Sequence, residues 1–458
     1  MPWTCCLMAM IFAAGAGCDA GRRAEATAGA TPVGEGVVSG TPAASGRIRN
    51  EEADDRVREP ETVLRLRDVL ELTLSRSPVL AASAIGPLLA DADRVQAGLR
   101  VNPTVGLEVE NVAGTGDLAG ASSAETTLQL GQVIELGGKR EARLASARAG
   151  EERVIQESEW TRMEVMADAT LAFIHVVADQ QRAVVAEEGV ALAEEGLAAI
   201  RDRIEAGAAS PLEEQRARVA LARNRIGLEH AEHELRAARR RLAAFWGADE
   251  PVFNRAEGEL FGRGRVPDFE ELAGKVESSP GVARWVTEER LAATELRLAR
   301  ARSVPNLTIG AGVKRFERTD DAALVFGASI PLTVFDRNQG NVTAAELRSG
   351  RASYWREAER VRLRAVLYGM CQEILHAAEE LRVLEEEVLP AAREALELAE
   401  RGYEIGRFSQ LDLLEAQRTL LELRRERIDA GMTRHTLVLE IERLLGVSLA
   451  GAERNQQP

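Results

Sequence analysis

The chain has 458 residues, 45% of them hydrophobic, 29% charged and only 4% aromatic, with a net charge of −15. That balance supplies a large core, and its negative sign argues against a nucleic-acid partner, whose phosphates would be repelled. Ala, Leu, Glu and Arg dominate, the composition of long helices and coiled coils.

Residues 1–18 read as an export signal. Leu7 to Ala14 is a short apolar run followed by small residues, too brief to span a bilayer as a helix. Gly15-Ala16-Gly17-Cys18 resembles a bacterial lipoprotein cleavage box, in which Cys18 becomes the acylated first residue; an ordinary signal peptide cut near Cys18 is the alternative. Cys5, Cys6 and Cys18 lie in this segment and Cys371 stands alone, so no disulfide framework is expected. Residues 19–60 show no apolar period and read as a flexible tether.

A first repeat occupies 61–247. Residues 62–100 read as helix, interrupted or kinked at Pro78 and Pro87. After Asn102-Pro103 the period drops to two: Val105, Leu107 and Val109 alternate with Gly106, Glu108 and Glu110. Past a Gly-rich stretch, Leu128 and Leu130 alternate with Thr127 and Gln129, so a hairpin with a long polar loop is expected. Gly137-Gly138-Lys139-Arg140 turns the chain back into helix; it lacks the spacing of a phosphate loop. From Glu141 to about Glu205 no proline interrupts the helical pattern, and Ala186, Val190, Ala193, Leu197, Ile200 and Ile204 form a coiled-coil seam. Some 65 residues at 1.5 Å each give a rod of roughly 100 Å. A turn at Gly207-x-x-Ser210-x-Leu212-Glu213 then reverses the chain into a helix ending at Trp246-Gly247.

Residues 248–267 form a connector, and 268–447 repeat the plan before a tail at 448–458. Pro280 and Pro305 answer Pro78 and Pro103, each 202 residues on. Leu307, Ile309, Ala311 and Val313, then Leu324, Phe326, Ala328 and Ile330, predict a second hairpin. Phe335-Asp336-Arg337-Asn338-Gln339-Gly340 stands where the double glycine stood. The second long helix carries a seam through Leu363, Leu367, Ile374, Leu381, Leu384 and Val388 and on to Ala391, Ala395 and Leu398, with a kink at Pro390. It ends at Tyr403-x-x-Gly406-x-x-Ser409-x-Leu411-Asp412-x-Leu414-Glu415, and Gly406 lies 199 residues after Gly207.

The helix lengths suggest four columns, in which two short helices laid end to end flank each long one. Chain order predicts that helix 211–246 continues into 268–303 and that 409–446 pairs with 62–100. Four strands of about nine residues match a tilted bilayer crossing but cannot close a barrel alone, so several chains must contribute.

The duplicated helix, the Asn/Pro-started hairpin, the Gly-Gly-Lys-Arg or Phe-Asp-Arg-Asn-Gln-Gly strand exit, and the G-x-x-S-x-L-[DE] turn resemble the TolC-like outer-membrane efflux family. The pattern Asn102-Pro103…Glu110-Asn111…Gln132-x-x-Glu135-Leu136-Gly137-Gly138-Lys139-Arg140 is most similar to the branch serving cobalt, zinc and cadmium resistance. The resemblance spans roughly Val63 to Val447. It implies a mainly helical fold with a small β part: a homotrimer whose 12-stranded barrel lies in outer-membrane lipid of a Gram-negative bacterium and continues as a 12-helix tunnel through the periplasm. It also implies docking onto a periplasmic adaptor (a membrane fusion protein) and an inner-membrane pump of the resistance-nodulation-division type.

By the same resemblance Asp412 and Glu415 match an acidic pore constriction, and Gly207, Ser210, Leu212, Tyr403, Gly406, Ser409 and Leu411 mark the adaptor-docking tips. Two carboxylates in a helix's first turn also serve simply to complement its dipole. In a ring, mutual repulsion would raise some of their pKa values. His230 and His233 share a helix face but read as solvated, so neither a metal site nor any cofactor is expected, and no catalytic constellation is present. A duct for drugs or for type I protein secretion, and a periplasmic coiled-coil scaffold, are the competing readings.

Overall fold

A computed structural model describes residues 58–261 and 268–447. The export segment with Cys18, most of the tether, part of the connector and the tail lie outside the described residues.

The first repeat begins with strand β1 (Val63–Arg65) and three short helices, α1 (Leu66–Arg76), α2 (Pro78–Ser83) and α3 (Ile85–Ala97). Strands β2 (Thr104–Glu110) and β3 (Glu125–Ile134) follow, then α4 (Lys139–Glu205) and its return helix α5 (Pro211–Ala243). The connector contributes β4 (Arg255–Glu257). The second repeat runs through α6 (Phe269–Ala273), α7 (Pro280–Arg302), β5 (Leu307–Phe316), β6 (Asp321–Ser329), α8 (Gln339–Val383), α9 (Leu389–Glu404) and α10 (Gln410–Leu445).

The two hairpins join into one antiparallel sheet of order β2-β3-β5-β6, in which β3 pairs with β5 from Glu125 opposite Phe316 to Ile134 opposite Leu307. The register sorts the residues by face. Val105, Leu107, Leu128, Leu130, Val313 and Phe326 share one face, and all are exposed. Glu108, Glu110, Glu125, Thr127, Gln129 and Lys314 share the other, where the Lys314 amine donates to Glu110 and Glu125 at 2.7 Å each. Glu110 and Glu125 stand directly opposite, and Lys314 offsets the repulsion of that like-charged pair.

Below the sheet, Arg143 grips Glu135 at 2.6 Å and the carbonyls of Ala97 and Leu99 at 2.7 and 2.8 Å. Arg140 donates to the Gly98 carbonyl at 2.6 Å, and the Lys139 amine bonds Asn306. The basic residues of this strand exit are thus spent on holding the sheet to the helices.

Four helical columns lie side by side. One face of α4 packs on α5 and α1–α3, and its other side meets α7 and α10, which in turn pack on α8 and α9. The short helices do not pair end to end as expected. A Cβ on Gly247 would lie 3.3 Å from Pro78 and one on Gly446 would lie 2.8 Å from Pro280, so each return helix abuts the helices that opened its own repeat. Helices 211–246 and 268–303 are neighbours in sequence but lie in different columns. Instead the connector leaves the column and crosses α4, where the Gln180 amide bonds both the N–H and the carbonyl of Ala256, at 2.7 and 2.8 Å. It then reaches α10, where His435 Nε2 lies 3.1 Å from the Leu260 carbonyl. Along this path β4 pairs in parallel with β1. Val63–Arg65, expected as helix, is therefore strand: three residues are too few to show a period, and their partner lies in the connector. A cluster containing Leu64, Phe173, Val176, Leu242, Trp246 and Phe253 fills this belt.

The seam of α8 departs from the expected one beyond Leu384. Leu363, Leu367, Ile374, Leu381 and Leu384 are buried as expected, but Leu398 is exposed, as are Ala391 and Ala395, and Ala392, Leu396 and Ala399 face the core instead. Leu384–Val388 form a π-helical turn. Pro390 has no N–H to give the preceding turn and would crowd its carbonyls; the wider turn relieves this and adds one residue, shifting the seam by one position. At the start of the chain the expected break at Pro87 falls instead at Ala84, and Pro87 sits in the first turn of α3, where its missing N–H has no helical partner to lose.

Candidate functional site at the helical tip

Two turns close the far ends of the long helices. Gly207 and Gly406 both take φ of +73°, a left-handed conformation that costs other residues roughly 1–2 kcal/mol. Each return helix then starts on a serine whose N–H is accepted by the acid three residues on: Ser210 by Glu213 at 3.1 Å and Ser409 by Asp412 at 2.8 Å. The Ser409 hydroxyl adds a 2.7 Å bond to the same Asp412 oxygen.

The turns are bound to each other. Arg203, near the end of α4, lies 4.5 Å from the Tyr403 ring centroid and donates to the carbonyls of Tyr403 and Glu404 at 2.6 and 3.2 Å. The Tyr403 hydroxyl donates to Glu213 at 3.1 Å, and the buried Gln410 amide donates to the Glu213 carbonyl at 2.7 Å. One residue from each of α4, α5, α9 and α10 therefore enters a single knot, seated on a cluster of Leu197, Ile200, Leu396, Ala399 and Leu413. The Ser210 N–H, with help from the Tyr403 hydroxyl, holds the Glu213 carboxyl below the usual carboxylate range, and burial pushes the Tyr403 phenol up.

Asp412 and Glu415 lie one turn apart on α10 and both are exposed. Within one chain Asp412 behaves opposite to the repulsion expected of a ring: the Ser409 hydroxyl and N–H hold its carboxyl below the usual range. Glu415 lines a groove of about 490 Å³ between α5 and α10, where Arg216 and Arg418 also stand. Leu212 and Leu411 project from the two helix starts, exposed.

In the sequence Arg203 and Gln410 carry no turn or capping signature of their own, and Glu213 stands only as the last residue of the Gly207 turn motif. The signal was the mismatch between repeats: Arg203-Ile204 in one turn answers Gly402-Tyr403 in the other. Gly402 is bare because Phe408 packs against it, and a Cβ there would come within 2.1 Å of the ring. Among the described residues no group of three or more His, Cys, Asp or Glu converges as a metal site. No single described helix is long and apolar enough to cross a membrane.

The sequence profile of the outer membrane efflux protein family matches residues 69–248 and 276–447, one segment per repeat. The chain belongs to that family. This efflux protein is 31% identical over 389 residues to the cobalt-zinc-cadmium resistance protein CzcC of Cupriavidus metallidurans, covering 85% of the chain and 91% of the relative. It is 27% identical over 278 residues to the nickel and cobalt resistance protein CnrC of the same organism, covering 61% and 66%. Its fold is that of the outer membrane protein VceC of Vibrio cholerae, with a TM-score of 0.68 at 18% identity over 84% of the chain and 96% of VceC. As an outer membrane efflux protein it is a transport component and not an enzyme, and it works at the Gram-negative outer membrane with its helical part in the periplasm.

Proposed function

We propose that this efflux protein is the exit duct of a tripartite system that exports divalent heavy-metal cations. The observation that carries the metal assignment is the 31% identity, over nearly the whole of both chains, to a cobalt-zinc-cadmium resistance protein. The duct assignment rests on the sheet. Its apolar face is bare to solvent, and its edge strands β2 and β6 have no further partner among the described residues. Lipid tolerates no such open edge, so a homotrimer closes a 12-stranded barrel. Glu108, Glu110, Glu125 and Lys314 then face the lumen. The tip, with Gly207, Ser210, Leu212, Tyr403, Gly406, Ser409 and Leu411, meets a periplasmic adaptor, which links it to a proton-driven inner-membrane pump of the resistance-nodulation-division type.

Deleting the gene in its native host is expected to sensitise cells to cobalt, zinc or cadmium and to raise their metal content several-fold, with restoration by the plasmid-borne gene. Unchanged metal tolerance together with loss of drug resistance or of a secreted protein would reassign the cargo. The protein itself is expected in the outer-membrane fraction as a detergent-stable trimer; a soluble periplasmic monomer would leave the sheet unclosed and refute the duct.

Cys18, outside the described residues, is proposed as a lipidation site. Cys18→Ala is expected to abolish incorporation of labelled palmitate while the trimer still assembles, because barrel closure and not one acyl chain supplies most of the anchorage. Exported but wholly monomeric protein would show that the lipid is needed for assembly.

A further inference from the structure

Charge is unevenly placed along this acidic chain. Against a net charge of −15, the end of α5 carries Arg236, Arg239, Arg240 and Arg241 within six residues. The first three of these, with Glu250 and Val252–Asn254 of the connector, line a cleft of about 600 Å³. Its counter-ions are few. Glu250 pairs with Arg240 at 2.7 Å, whereas Glu232 approaches Arg236 only to 3.7 Å. Arg239 forms no ion pair among the described residues: its guanidinium donates to the Asn254 carbonyl, and its Nε is buried without a partner. Burial pushes that guanidinium below its usual range, and no carboxylate raises it. Cations in the last turn of a helix complement its dipole, which accounts for Arg240 and Arg241. It does not account for Arg236, two turns from the end, or for Arg239 in the cleft wall.

The tether joins the folded body at this same wall. The Glu59 carboxylate accepts the N–H of Val252 at 2.6 Å, the N–H of Phe253 at 3.1 Å and the indole N–H of Trp246 at 3.0 Å. The Glu61 carbonyl accepts the Asn254 side-chain amide at 3.2 Å, and the Thr62 carbonyl accepts the Arg255 N–H at 3.1 Å. Arg58 is the first described residue, and an acidic run ends three positions before it: Glu51-Glu52-Ala53-Asp54-Asp55 sets four carboxylates in five residues. Residues 51–57 can reach at most ~25 Å when extended, against the roughly 6 Å of helix that separates Arg236 from Arg240. The run is within reach of every arginine in the cleft.

We propose that the acidic end of the tether, Glu51 to Asp55, seats in the arginine cleft of its own chain, strapping the tether to the end of α5 and the start of the connector. Carboxylates meet guanidiniums through paired hydrogen bonds as well as charge, and Arg239 gains the counter-ion that its own surroundings lack. The strap is independent of what the duct carries.

A disulfide reads the contact without touching the charges. In full-length protein in outer membranes, Ala53→Cys with Ala237→Cys, the latter exposed among the cleft arginines, is expected to close within one chain under a mild oxidant, as read by peptide mass spectrometry. Adding Arg236→Glu with Arg240→Glu should slow closure at least tenfold, and adding Asp54→Lys with Asp55→Lys on top should restore it to within threefold. Raising the salt to 1 M, where screening acts over about 3 Å, should slow closure in the protein with its arginines intact. That measurement needs no charge variant and so stands even where one fails to fold. Closure at the same rate with and without the arginines, or indifferent to salt, would overturn the strap and leave the cleft open to an acidic ligand from outside. A disulfide joining two chains would overturn it too, giving the cleft to the tether of a neighbouring copy. Slow closure that the reciprocal reversal leaves slow, in protein of unchanged helical circular dichroism, would reduce the arginines to partners of the helix end.

Discussion

Combining Arg203→Ala with Tyr403→Phe is expected to raise single-channel conductance in planar bilayers severalfold over the unmodified trimer. The substitutions remove the guanidinium bonds to the Tyr403 and Glu404 carbonyls, the stacking of Arg203 on the ring, and the hydroxyl bond to Glu213. Hydrogen bonds involving a charged group are worth about 1.5–3 kcal/mol each, and partial exposure reduces that. A loss of ~3 kcal/mol per chain shifts the ratio of tied to untied tips by roughly a hundredfold. The helices should stay folded, because the tip cluster of Leu197, Ile200, Leu396 and Leu413 is untouched. Unchanged conductance in a folded trimer would show that the knot only trims the turns.

The same knot has a definite pH dependence. The Glu213 carboxyl is held low in the folded tip, so its contribution is fully present above the ordinary glutamate value of about 4.3 and is lost as pH falls through the lowered value. Conductance of the unmodified channel should therefore be flat from pH 7 to 5 and rise only under stronger acid. In the double variant that rise should be smaller, because Glu213 has already lost the hydroxyl of Tyr403.

The sequence carried the repeat, the long helices, both hairpins and the two glycine turns, because each is written in local periodicity or in a residue type with one conformational use. It did not carry what depends on a distant partner. Val63–Arg65 becomes strand only because Arg255–Glu257 lies beside it, and β3 meets β5 only because the two repeats sit side by side. The π turn shows a subtler limit: Pro390 announced a disturbance, but whether a proline bends a helix or adds a residue to it is decided by the packing on either side. At the tip the turn residues were legible one turn at a time, whereas the knot among Arg203, Tyr403, Glu213 and Gln410 crosses between turns that lie 199 residues apart, and only the failure of the repeats to match hinted at it.

Charge at the mouth of the duct should set its ion preference. If three copies bring Asp412 and Glu415 around one opening, Asp412→Asn with Glu415→Gln should move the reversal potential across a salt gradient toward zero, lowering cation preference severalfold. The two positions should not contribute alike. Asp412 is engaged by the Ser409 hydroxyl and N–H, which keep its carboxyl charged well into acid, so its share of the preference should survive mild acidification. Its substitution also touches the helix start; the amide oxygen of asparagine can still accept the Ser409 N–H, so Asp412→Asn should cost well under the ~1 kcal/mol of losing a capping group. Glu415 faces a groove it shares with Arg216 and Arg418, whose charges offset part of its field, so Glu415→Gln alone should shift the potential less than Asp412→Asn alone. Adding Arg216→Gln to the unmodified channel should move the potential the other way, toward stronger cation preference. A double variant with unmodified selectivity would reduce both carboxylates to partners of the helix dipole, leaving the tip knot and the duct as they stand.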